Sequence, residues 1–129
     1  MPVTVSPVSH ILLGVSAPPA LPWSIEPFGP ALRDALAARG MSFRDLESRS
    51  LVPVGNLHDH VSGKRGVPGD DLMRRIASGV GVEPAYFREW RERRLVEALR
   101  EVPALELELS RRVAEGRLGW PHHSDPPPV

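Results

Sequence analysis

Apolar residues recur at helical spacing in short runs along this chain, and most runs close on Gly or Pro. Leu32, Ala35, Leu36 and Arg39 follow the 3, 4, 7 spacing of one helical face between Pro30 and Gly40, which predicts a helix over 31–40. Ser42 and Asp45 form an S-x-x-D start for a second, short helix, with Phe43 and Leu46 as its apolar face. Pro53 suits the first position of a third helix, with Leu57 and either His60 or Val61 inward and Gly63 as its stop. A fourth helix places Asp70 and Asp71 at its positive end, turns Leu72, Met73, Ile76 and Val80 inward and ends at Gly81. The longest predicted helix follows Glu83 and Pro84, with Phe87, Trp90, Leu95, Ala98, Leu99 and Val102 along one stripe. Pro103 breaks or kinks it, and residues 104–118 continue helically through Leu105, Leu109 and Val113. The only alternating segment is "VTVSPV", which Pro7 limits to a weak edge strand. Together these elements predict an all-α core of about five helices.

Composition sets the boundaries. Of 15 Pro in 129 residues, seven lie in residues 1–30 and four in 121–129, so Pro-rich, flexible ends flank a folded middle. Cys is absent, which excludes disulfides, thiol nucleophiles and Cys-based zinc sites and fits a cytoplasmic location. The short run "HILLGV" lacks a basic n-region and is too brief for a membrane span. Net charge is +0 over the chain, and residues 31–101 carry thirteen Arg/Lys against eleven Asp/Glu. A polyanion partner must therefore be argued from where the charges sit.

The segments "LRDALAARG", "MSFRDLESRS", "LVPVGNLHDHVSGKR" and "PGDDLMRRIASGVGVEPAYF" follow one another at a recognisable spacing. Over Leu32 to Phe87 the chain resembles the Cro/lambda-repressor-like helix-turn-helix family, without a gap from Gly40 to Gly63 and with one inserted residue before Pro68. Phe43, Glu47, Leu51, Gly55 and His60 depart from the family's usual residues at their positions. The resemblance implies an all-α, five-helix lambda-repressor-like domain over 31–87. Around it lie an N-terminal arm (1–30), a C-terminal helical extension (88–118) and a tail (119–129).

By the same resemblance the third helix, from Pro53 to Ser62, enters the major groove of double-stranded DNA, and Val54, Asn56, His58, Asp59 and Ser62 meet base edges. Asn suits adenine, His can donate to guanine, Asp can accept from cytosine and Val can touch a thymine methyl. Arg44, Lys64 and Arg65 stand where the family reaches backbone phosphates. The sole Asn and sole Lys of the chain thus fall in one short segment, one to read and one to anchor.

Outside that segment little points to chemistry. His58 and His60 are two apart and do not share a helical face, which makes joint metal binding poor geometry, and His60 reads as a packed residue. Gly63-Lys64 is followed by Arg, so no P-loop exists, and no H-E-x-x-H is present; catalysis, metal and cofactor are not expected. The interleaved signs of Arg88, Glu89, Arg91, Glu92, Arg93, Arg94 and Glu97 predict a solvated helix face, with Tyr86, Phe87 and Trp90 as core. Leu95, Leu99, Leu105 and Leu109 exceed the needs of a small core and suit a homodimer on a palindromic operator. The expectation is a transcriptional regulator of the repressor type. The rival is a protein-interaction module that keeps the fold as a scaffold and binds a protein partner through residues 84–118.

Overall fold

The computed structural model describes residues 19–116. The segments "VTVSPV", "HILLGV" and "WPHHSDPPPV" lie outside the described residues. All described secondary structure is helical: α1 (Phe28–Arg39), α2 (Phe43–Ser50), α3 (Val54–Ser62), α4 (Asp70–Val80), a 3-10 turn (Pro84–Tyr86), α5 (Arg88–Glu101) and α6 (Pro103–Ala114). The chain is all-α, with α2 and α3 joined as a helix-turn-helix-like pair through Leu51, Val52 and Pro53. The described residues divide into two compact units, one up to Arg91 and one from Glu92.

In the first unit α2 packs chiefly on α4, and α1 on α3. The shared core holds Phe28, Leu32, Leu46, Val52, Leu57, Met73, Ile76, Val80, Tyr86 and Phe87. Burial of these side chains is the main force available to helices this short, since isolated helices below about 12–15 residues are marginal in water. Local chemistry fixes the ends. The Ser42 N–H donates to Asp45 Oδ2 (2.9 Å) and the Asp45 N–H to Ser42 Oγ (3.0 Å), a reciprocal cap at the start of α2. The Ser42 backbone N–H foremost, and the Ser42 side chain after it, hold the Asp45 carboxyl below its ordinary value. Gly40, Gly63 and Gly81 close α1, α3 and α4 in the left-handed conformation.

Four local expectations are corrected. First, α1 begins at Phe28 rather than Ala31, so Pro30 falls inside its first turn, where a missing N–H breaks no helical bond. Residues 21–30, expected to belong to a flexible arm, are held: Leu21 packs against the core, Phe28 is buried, and the Phe28 N–H donates to Glu89 Oε2 at 3.0 Å. Second, Pro53 is the N-cap of α3 and not its first residue.

Third, residues 84–102 are not one helix. After the 3-10 turn, Phe87 is extended (φ −87°, ψ 130°), and only then does α5 begin. The extended residue sends the Phe87 ring into the core, 4.8 Å from Phe28 and 5.1 Å from Tyr86 between centroids. Fourth, α6 stops at Ala114 rather than continuing to residue 118, while Pro103 breaks the helix as expected and starts α6.

Two glycines set the helix spacing. A Cβ on Gly29 of α1 would run into the Val61 carbonyl of α3, and one on Gly79 of α4 would come within 2.8 Å of Leu46 Cδ1. In the second unit, α5 beyond Arg91 and α6 bury no residue.

Gly29→Ala is expected to destabilise the protein by roughly 1–3 kcal/mol through overpacking against backbone. Gly55, mid-helix with open space around its Cβ, is the opposite case. Gly55→Ala is expected to stabilise by about 0.5–1 kcal/mol. Urea denaturation of the two variants checks both signs.

Candidate nucleic-acid interface

α3 has one buried side and one outward side along its whole length. Leu57 is fully buried and His60 is 8% exposed. Val54, Asn56 and Asp59 are half-buried, and His58 and Ser62 are exposed. The alternation follows from the 3.6-residue period: positions 57, 60 and 61 turn to the core, which leaves 54, 58 and 62 on one outer edge and 56 and 59 on the other. All five residues expected to read bases therefore lie off the buried stripe.

Each outer edge has a neighbour that the sequence pattern did not identify. His58 stacks on Phe43, the first residue of α2, with ring centroids 4.4 Å apart and planes tilted by 39°. The Arg33 guanidinium of α1 sits 5.7 Å from the same Phe43 ring, a cation over an aromatic face. Phe43 thus orients His58 and links α1, α2 and α3 at the surface. On the other edge Arg65 Nη2 donates to Asn56 Oδ1 at 3.1 Å and pairs with Asp59 Oδ2 at 3.8 Å. Asn56 and Asp59 are i, i+3 neighbours on the helix, so one guanidinium reaches both.

The loop after α3 is folded back by its own hydrogen bonds. The Gly63 N–H donates to the His60 carbonyl (3.3 Å) and the Arg65 N–H to the Asp59 carbonyl (3.1 Å). His60 Nδ1 meets the Gly66 carbonyl at 2.7 Å; a carbonyl only accepts, so Nδ1 carries the proton. His58 and His60 thus face different surroundings. Ser62 Oγ donates to the Asp59 carbonyl (3.2 Å) and accepts from the Lys64 N–H (3.4 Å), which spends its hydroxyl on the loop. Lys64 and Arg44 are exposed; Arg65 is drawn along α3 rather than extended from it.

The leucines assigned to dimerisation lie on α5 and α6. Leu95 is 56% exposed, Leu105 is also exposed, and Leu99 and Leu109 are half-buried. Val96, Val102, Leu107 and Val113 add further exposed apolar surface there. Among the described residues no three His, Asp or Glu side chains converge on a metal-sized site, and no helix is long and apolar enough to cross a membrane. Comparison with protein families, with curated proteins and with solved structures finds no match to this chain.

Replacing His60 by Leu removes the bond that ties Gly66 to α3 while keeping an apolar filler. The expected result is a loss of about 1 kcal/mol, with faster amide exchange confined to residues 63–67. Exchange rates measured by NMR on the wild type and His60→Leu check it.

Proposed function

We propose that this protein is a sequence-specific DNA-binding regulator, of the repressor type, that places α3 in the major groove of an operator. One observation carries this: α3 keeps a polar face clear of the core along its full length while its opposite side is anchored by Leu57 and His60. An α-helix with its side chains is about 10–12 Å across, a fit to a major groove about 12 Å wide. Asn56 reads adenine, His58 donates to guanine from its stack on Phe43, and Val54 meets a thymine methyl. Arg44 at the start of α2 and Lys64 after the end of α3 take backbone phosphates, which sets position and salt dependence rather than sequence preference.

The exposed leucines and valines of α5 and α6 support self-association, and a twofold dimer then calls for an inverted repeat. The same apolar surface favours a second reading, in which residues 84–118 bind a different protein and the helix-turn-helix serves as scaffold. The two differ in what covers that surface.

The test is in-vitro selection from a random duplex library at two salt concentrations. An inverted repeat is expected; no enrichment from folded protein would reject sequence-specific DNA binding and leave the protein-partner reading. Asn56→Ala is expected to lose about 1–3 kcal/mol of discrimination at one base position with little change in stability, seen as a flattened position in the selected sequences. Truncation after Val102 is expected to shift the solution mass toward monomer. An unaltered mass by light scattering would remove α6 from the interface.

A further inference from the structure

Arg65 stands where a phosphate anchor is expected, yet its side chain does not extend away from α3. The Arg65 N–H donates to the Asp59 carbonyl, which brings the backbone alongside the helix. From there the guanidinium runs one turn back to Asn56 Oδ1 (3.1 Å) and lies 3.8 Å from Asp59 Oδ2. Of these guanidinium contacts only the one to Asn56 is a hydrogen bond, so the second Nη2 hydrogen, Nη1 and Nε remain as donors on a side chain that is 52% exposed.

We infer that Arg65 is a base-reading residue that takes the O6 and N7 edge of a guanine, with Asn56 and Asp59 holding its guanidinium in place. The inference rests on the major-groove placement of α3 proposed above. Three features of the geometry support it. A planar guanidinium held through one Nη2 hydrogen keeps its other Nη2 hydrogen parallel to an N–H of a neighbouring nitrogen, a fixed fork that matches the two acceptors of guanine. Asp59 alone would bring a negative charge toward the phosphates; paired with Arg65 it adds none, so its role is to position Arg65 and not to read cytosine. Asn56 keeps a second lone pair on Oδ1 and both hydrogens on Nδ2, so it still serves the adjacent base pair. The two side chains then read neighbouring positions as one unit.

The test compares wild type, Arg65→Lys and Asp59→Asn by selection and by equilibrium binding to the wild-type site and to a copy with the assigned G·C pair changed. Circular dichroism first establishes that each variant is folded. The wild type is expected to require a G·C pair next to the position most strongly flattened by Asn56→Ala, a change that should also weaken the G·C pair because it removes one support of Arg65. Arg65→Lys keeps the charge but not the fork, so it should lose roughly tenfold or more of discrimination at that pair while its salt slope and its other preferences hold. Asp59→Asn should weaken the same position and no other.

Arg65→Lys with unchanged base preferences would return Arg65 to the phosphate backbone and overturn the inference, as would Asp59→Asn relaxing a separate cytosine. Wild-type protein that selects no sequence would overturn it differently, by removing DNA binding itself.

Discussion

The orientation of α3, and with it every outward side chain discussed above, depends on how one arginine of α4 grips the end of α2. Arg75 donates through Nε and Nη2 to the Ser50 carbonyl (3.2 and 3.0 Å) and through Nη2 to the Leu51 carbonyl (3.1 Å). The last carbonyls of a helix have no partner inside it, and a cation there also suits the helix dipole. Leu51 is the one non-glycine described residue with positive φ, at 62°, a conformation that costs a residue with a Cβ about 1–2 kcal/mol. The turn persists because it is over-determined: Arg75 holds its carbonyls, Ser50 Oγ accepts from the Val52 N–H, and Val52 is buried. Arg39 repeats the device, with the last turn of α1 donating to the carbonyls of Val80 and Gly81 at the end of α4.

What the sequence made legible were the features written in local chemistry. The capping box at Ser42, the glycine stops at Gly40, Gly63 and Gly81, and the buried faces of α1 to α4 all follow from neighbours within a few residues. What it hid were partners far along the chain. Nothing near Phe28 says that Glu89 will take its N–H, so local pattern places the start of α1 three residues late. Phe87 fits a helical stripe with Trp90 by spacing alone, yet its burial against Phe28 requires extended backbone that a periodicity argument does not contain. The outward positions of α3 were readable from the 3.6-residue period. Arg65 was not, because its placement depends on a loop that doubles back.

The outer surface of α3 is nearly balanced in charge once Arg65 and Asp59 face one another, and the chain as a whole is neutral. Strong non-specific attraction to a polyanion comes from unbalanced cations, so under the proposed DNA-binding reading discrimination would rest on shape and hydrogen-bond pattern more than on field. Phe43 fits that emphasis: its ring stacks on His58 and lies under Arg33. Orientation is supplied by packing, not by a further polar contact.

The first unit is also sewn together at its two ends. Trp23 Nε1 donates to Glu83 Oε2 (3.1 Å), the Ser24 N–H to the Tyr86 carbonyl (3.0 Å), and Arg91 Nη2 to the Ser24 carbonyl (2.7 Å). Arg91 lies over the Trp23 ring, and Arg88 reaches the Ile25 carbonyl. Entry and exit of the polypeptide therefore sit side by side on this unit, the geometry that lets a domain be spliced into the surface loop of an unrelated host without stretching either partner. The described part of the first unit is held closed at its own neck.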